Sequence, residues 1–317
     1  MPDTTTDTMT DTPILRLGTR QSPLAMVQAE EARRRLCEAH GWDESAVELV
    51  PVVASGDKIQ DRPLAEIGGK ALWTKELDAW LAEDRIDAAV HSMKDVETIR
   101  PDSLHIAAIL PRADRRDVLI GADSIAAIPT GAVIGTSAPR RAAQMLHHRP
   151  DLKIVTFRGN VATRLGKLEA GEADVTLLAA AGLERLGQEG IGTPLACDHW
   201  LPAPAQGAIG LECRSDAART IALLEAINHA PSQAEVLAER ALLAGLGGTC
   251  HSPIAVLATA DGARIIISAT LFSPDGTERT DGKITVDADD LGTVTAFAED
   301  LLAKAGPATQ AVFGPPA

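Results

Sequence analysis

No run in this 317-residue chain approaches the length of a transmembrane helix, which argues against a protein that crosses a bilayer by helices. Basic residues are in deficit: 30 Lys and Arg stand against 44 Asp and Glu, a formal net charge of −14. That balance argues against a general nucleic-acid binder. It leaves room for a local cationic pocket, because a site responds to charges within a Debye length and not to the total. Cysteine is scarce and scattered. Cys37, Cys197, Cys213 and Cys250 show no metal-ligand spacing and read as reduced thiols. Nucleotide-binding loops are missing as well. No GxGxxG occurs, and Gly69-Lys70 fails as a P-loop because position 71 is Ala and position 64 is Leu. Residues 1–12 lack the basic start and apolar centre of a signal peptide, so they read as a disordered tail on a cytoplasmic protein.

What is present is a run of strand-to-helix junctions. The chain is 45% apolar and 23% charged, with length for two or three domains. A strand at 14–17 leads through Thr19-Arg20-Gln21-Ser22-Pro23 into a helix at 24–39 ended by Gly41, with Ser22 as N-cap. A second strand is expected at 47–54, a polar flap-like connection at 55–70, and a helix with Trp73 at 71–82. The apolar run 86–90 exits into His91-Ser92-Met93-Lys94-Asp95, and another strand follows at 106–110. Ligands collect at such carboxyl ends of strands. Taken alone, those five residues are better explained as a polar loop with a surface Lys–Asp pair.

Residues 111–117 are charged and read as a crossing between domains. A second α/β segment follows, with strands at 118–120, 133–134, 153–157 and 174–178. Gly135-Thr136-Ser137-Ala138-Pro139-Arg140-Arg141 opens one helix. Arg158-Gly159-Asn160 opens another that carries Arg164, and Arg185 lies in the segment 179–186. Three times a strand meets a helix N-terminus with a guanidinium at the junction: Arg20, Arg140 with Arg141, and Arg158. Helix N-termini favour anions, and the planar guanidinium binds carboxylates bidentately. One such junction is a capped helix with a surface arginine. Three in two consecutive segments predict facing anion-binding edges around a cleft, and a polyanionic substrate.

After the Pro/Gly linker 201–207, the strand-like run 209–213 is placed to return to the first sheet. A helix at 233–244, a hairpin flanking Ser273-Pro274-Asp275-Gly276 and a helix at 291–305 make a small α+β domain. Cys250 sits in a glycine-rich loop with little bulk to shield its sulfur, which allows a covalent role. By itself a lone cysteine is more often inert.

Together these stretches resemble the porphobilinogen deaminase (hydroxymethylbilane synthase) family from about residue 14 onward. The motifs include Thr19 to Ala25, Gly68-Gly69-Lys70, Ala89 to Asp95, Gly135-Thr136-Ser137, Arg140-Arg141, Arg158-Gly159-Asn160, Thr163-Arg164, Ala181-Gly182-Leu183, Gln206-Gly207-Ala208 and Gly248-Thr249-Cys250. The resemblance implies stepwise condensation of four porphobilinogen molecules to a linear tetrapyrrole with release of ammonia. It implies a dipyrromethane cofactor bound by a thioether to Cys250, and Asp95 as the carboxylate that stabilises cationic pyrroles and moves their protons. Lys94, Ser92, Arg140, Arg141, Thr136, Ser137 and Asn160 would hold the cofactor. Arg20, Ser22, Lys70, Arg158, Arg164 and Arg185 would hold substrate acids. No metal is implied. The expected partners are porphobilinogen and a downstream uroporphyrinogen-III synthase, and the expected state is a cytoplasmic monomer.

The fold expected is α/β: two periplasmic-binding-protein-like (type II) lobes around a cleft, at 13–111 with 206–227 and at 112–203, plus a small α+β domain at 230–317. A non-catalytic two-lobed anion-binding protein is the alternative. This chain departs from the family pattern at several places. Ala138 stands where a second serine is common, Pro139 where an apolar residue is usual, Glu97 where proline is usual, Trp73 where phenylalanine is common, and Thr249 in place of a glycine.

Overall fold

Strand β1 (Leu15–Arg20) buries Leu15 and Leu17 on the face covered by helix α1 (Pro23–His40). The helix starts where the sequence places its cap. Ser22 Oγ accepts from the Ala25 amide at 3.3 Å, Pro23 occupies the first turn, and Gly41 ends the helix at φ +67°. Ala29, Ala32 and Leu36 form its apolar stripe. The computed structural model describes residues 13–53, 73–249 and 252–313. Lys70, Cys250 and the connection expected at 55–70 lie outside them.

Later helices are α2 (Lys75–Ala82), α3 (Pro139–His148), α4 (Val161–Glu169), α5 (Ala180–Arg185), α6 (Ala218–Glu225), α7 (Ala230–Gly245), α8 (Leu291–Ala303) and α9 (Pro307–Gln310). No helix among the described residues is long and apolar enough to cross a membrane.

The first sheet combines β1 with β2 (Val47–Val52), β3 (Ala88–Ser92), β4 (Leu104–Ile109) and β10 (Ile209–Arg214), in the order β2-β1-β3-β10-β4. β10 is antiparallel to both neighbours and sets Gly210 opposite His91. A Cβ at Gly210 would overlap Met93 Sδ, so this strand position needs glycine for Met93 to pack beneath the turn that carries Asp95. The second sheet contains β5 (Asp117–Ile120), β6 (Val133–Gly135), β7 (Lys153–Val155), β8 (Val175–Ala179) and β9 (Thr193–Pro194), in the order β7-β6-β8-β5-β9. Its antiparallel strand is β5. The two orders are the same plan, and in each lobe the antiparallel strand is the one on which the chain arrives from the other lobe. This is the expected type II arrangement.

The third unit is an antiparallel sheet of β11 (Ile254–Asp261), β12 (Arg264–Phe272) and β13 (Arg279–Asp287), packed against α7 and α8. The hairpin β12–β13 was expected, whereas β11, β9 and α6 were not. α7 starts three residues before the expected point, because His229 caps it and Pro231 fits its first turn. α2 starts later than expected, at Lys75.

Both crossings between the lobes are fastened to α7. Arg112 makes a two-pronged pair with Glu239, 2.9 Å on each arm. Fully buried Glu239 also accepts from the Ala205 amide at 2.6 Å and the Ala258 amide at 2.8 Å. Arg115 pairs with Glu235 at 2.8 Å. One carboxylate thus ties the outward crossing, the return crossing and the third sheet together.

Candidate active site

β3 delivers its polar exit to the edge of a cleft. The strand runs to Ser92, and Met93–Asp95 form a single 3-10 turn. Buried Met93 anchors the turn from below, its amide donating to the Ala208 carbonyl at 3.1 Å. Lys94 and Asp95 then face a cleft with about 1100 Å³ of empty space, part of it open to solvent. The opposite wall comes from the second lobe through Ser137, Arg140, Arg141 and Arg164, and the floor from residues 203–206 of the return crossing. The third unit contributes Arg240, Leu243, Thr249 and Ser252. Thr249 and Ser252 flank position 250, and the Thr249 amide donates to Ser252 Oγ at 3.0 Å.

The cleft gathers cations around one carboxylate. Arg20 Nη1 lies 3.9 Å from Asp95 Oδ2, and its guanidinium stacks 4.0 Å from the centre of the Trp73 ring. Burial pushes the Lys94 ammonium below its ordinary pKa; Asp95 opposes the shift, and Arg141 and Arg164 add to it. Burial likewise brings Arg164 down to about 10, with Arg141 and Arg158 nearby and Asp95 in opposition. Its Nε donates to the Gly159 carbonyl at 3.0 Å.

Arg140 and Arg141 are almost fully buried, and both meet Asp117 at the start of β5, at 2.8 and 2.7 Å. Burial would raise the Asp117 carboxyl, but the two guanidiniums outweigh it and hold the group far below the carboxylate range. Trp200 Nε1 and Gln206 Nε2 also donate to Asp117, at 2.8 and 2.9 Å. Arg140 Nε, buried at the cleft wall, has no hydrogen-bond partner among the described residues. A buried donor left unmatched on a cationic wall suits an acidic ligand.

The expected donors divide by place. Lys94, Asp95, Ser137, Arg140, Arg141 and Arg164 line the cleft, with Arg20 adjoining Asp95. Ser137 Oγ donates to the Phe157 carbonyl. Ser22 and Asn160 spend their side-chain oxygens as helix caps, Asn160 accepting from Thr163 at 2.9 Å. Buried Thr136 accepts from the Ala138 amide at 3.2 Å, and Ser92 stands opposite Ile209 in the sheet. Arg158 lies near Arg164 without lining the cleft. Arg185 is directed to the return crossing, where Nη2 donates to the Gly207 carbonyl at 3.0 Å and Nε lies 3.8 Å from Glu31.

Asp117 and Arg240 carry weight that the sequence reading did not give them. Arg240 reaches from α7 to the chain beyond Asp95, donating to the carbonyls of Glu97 at 2.6 Å and Thr98 at 3.0 Å. Burial lowers its pKa to about 10, against the pull of Glu212. Its signal was a cation between Val236 and Leu243 on the buried stripe of α7. For Asp117, the signal was two adjacent arginines that needed a buried counter-charge.

Under the turn, buried Glu212 of β10 faces Arg100 at 2.8 Å and His91 at 3.2 Å. Burial pushes Glu212 up, but His91 and Arg100 outweigh it and hold the carboxyl at about 2. A depressed carboxyl stabilises the fold above its unfolded value near 4.5, and that contribution fades as pH falls toward 2. Acid titration followed by circular dichroism is expected to show Glu212→Gln losing less stability than the parent chain across that window.

These features define a two-lobed α/β fold with a cation-lined cleft around one carboxylate, and a third unit closing one side of the cleft. Comparison with known proteins agrees. Residues 15–222 match the family model "Porphobilinogen deaminase, dipyromethane cofactor binding domain", and residues 233–302 match "Porphobilinogen deaminase, C-terminal domain". The porphobilinogen deaminase of Sphingopyxis alaskensis is 56% identical over 306 residues, covering 94% of this chain and 96% of that one. That of Paracoccus denitrificans is 48% identical over 295 residues, covering 92% and 94%. The chain belongs to the porphobilinogen deaminase family. It is a transferase of tetrapyrrole synthesis that works with a dipyrromethane cofactor, which sets aside the non-catalytic alternative. Among solved structures, the periplasmic VFT2 domain of Bordetella pertussis BvgS overlaps 67% of this chain and 86% of its own at 14% identity, with a TM-score of 0.39. At that overlap the strand order of the sheets, and not the superposition, defines the fold.

Proposed function

We propose that the chain condenses four porphobilinogen molecules with Asp95 as its acid/base group and Cys250 as the thioether anchor of the dipyrromethane. The observation that carries this reading is convergence. Asp95, Lys94, Arg140, Arg141, Arg164 and the residues flanking position 250 all line one cleft. The donor set fits the group, since a dipyrromethane made from porphobilinogen carries acetates and propionates, and the wall offers buried guanidiniums with an Nε unmatched among the described residues. When bound, the dipyrromethane supplies the free α-carbon onto which the first pyrrole is joined.

Lys94, Arg140 and Arg141 hold the acids of that group, with Ser92, Thr136, Ser137 and Asn160 as the surrounding polar groups. Arg20, Lys70 and Arg164 hold the acids of the incoming substrate and the growing chain, with Ser22 and Arg158 as the neighbouring groups behind them. Arg185 braces the crossing behind them. Asp95 stabilises the positive charge that builds on porphobilinogen as its amino group leaves as ammonia, and a carboxylate oxygen of Asp95 receives the proton released on joining. Several guanidiniums share the anion, so no single one carries the rate as Asp95 does. The domain division proposed is 13–111 with 206–227, 112–203 and 230–317, and the sheet membership of β10 supports it. The further reading is a cytoplasmic monomer whose product passes to a uroporphyrinogen-III synthase.

Intact-mass measurement tests the anchor. The purified protein is expected to carry an adduct of two pyrrole units, absent from Cys250→Ser. An unmodified chain with full activity overturns the proposal.

A further inference from the structure

Glu97 stands two residues past Asp95, and a buried ionic cluster surrounds it. Its carboxylate accepts from Thr74 Oγ1 at 2.9 and 3.1 Å and from Arg100 Nη1 at 2.6 Å. The Arg100 side chain is only 9% exposed. It forks onto Glu212 through Nε at 2.9 Å and Nη2 at 2.8 Å, and reaches Asp78 at 2.6 Å. One guanidinium therefore collects three carboxylates: Asp78 from α2, Glu97 from the loop and Glu212 from β10. His91, on β3 below the turn, closes the cluster against Glu212. These contacts tie the chain just beyond the Met93–Asp95 turn to α2 and β10, while Arg240 holds the Glu97 and Thr98 carbonyls from α7.

A proline at position 97 would restrain this segment differently, fixing its own φ and forcing residue 96 into the extended region. Val96 already sits there, at φ −87° and ψ 133°. The extended backbone that a following proline would require at residue 96 is thus already present. We propose that Glu97 and Arg100 are positioning residues that hold the Asp95 turn against the cleft through this buried ionic cluster. The inference rests on Asp95 as the group that handles the proton.

The test is steady-state kinetics on holoenzyme whose intact mass shows the adduct. Glu97→Ala is expected to lower kcat by about ten- to a hundredfold, the scale of a small misplacement of a reacting group, with KM within about twofold. Glu97→Pro is expected to recover most of that loss, a rescue that loss of a merely stabilising ion pair does not predict. Thr74→Val removes one hydroxyl from the cluster without exposing a charge, and is expected to lower kcat severalfold should Glu97→Ala not fold. Unchanged kcat in Glu97→Ala or in Thr74→Val overturns the inference, as does Glu97→Pro falling as far as Glu97→Ala. Asp95→Ala run alongside separates the two levels. If it turns over normally, the assignment of Asp95 fails; if it is inactive while Glu97→Ala is not, only the positioning role fails.

Discussion

Asp95→Ala is expected to lose turnover by about a hundred- to ten-thousandfold, the range that positioned acid/base groups contribute. The same variant is expected to keep its fold, because the turn is held by atoms other than the Asp95 side chain. Met93 is buried beneath it, the Met93 amide is bonded to Ala208, and Arg240 grips the carbonyls beyond it. The removed carboxylate is partly exposed, and a cation beside it, Arg20, retains its stacking on Trp73. Rapid-quench measurement of ammonia release, beside a thermal melt, checks both halves. Ammonia release at the parent rate would remove Asp95 from the chemistry. Loss of a single guanidinium such as Arg164 should cost less, because Lys94, Arg140 and Arg141 remain on the same wall.

The second large effect concerns a residue that does not face the substrate. Asp117 is fully buried and joined to Arg140, Arg141, Trp200 and Gln206. Asp117→Asn keeps the shape but leaves two buried guanidiniums without a counter-charge. Breaking a buried pair from one side typically costs about 3–5 kcal/mol. Urea denaturation is expected to show a loss of that order, with less cofactor in the surviving protein, since the unbalanced arginines no longer keep their places on the wall. A midpoint equal to that of the parent chain would mean that Asp117 is not the counter-charge that orders them.

The sequence was most readable where local chemistry decides structure. Ser22-Pro23 and Gly41 fixed the ends of α1, Asn160 the start of α4, and Ser273 to Gly276 a hairpin, because caps and turns depend on a few neighbouring atoms. The arginine junctions predicted a polyanion site, and Arg140 and Arg141 do reach one cleft with Lys94 and Asp95. What was hidden depends on distant partners. Asp117 reads as part of a charged crossing until Arg140, Arg141 and Trp200 are seen to converge on it. Arg185 sits on a short helix like a ligand-binding residue, yet the position of the return crossing turns it to Gly207. β11 becomes a strand through its pairing with β12. Glu97 read as a departure without a reason, since the guanidinium that accounts for it is itself held by Asp78 and Glu212 from other elements.

The exchanged strands also bear on how the molecule is made. β4 lies at the edge of the first sheet and meets the rest only through β10, which the ribosome produces after the whole second lobe. The second lobe is one continuous stretch from β5 to β9 and can close while synthesis continues. The first waits with a gap between β3 and β4, exposing the apolar sides of Val90 and Ala108 that β10 later covers. Long-range strand insertion is slow and leaves unpaired edges open to wrong partners. The nascent chain therefore passes through an interval in which the Asp95 turn has been translated but lacks the β10 segment that Met93 packs and bonds against, and a folding helper acting early would find its binding surface there.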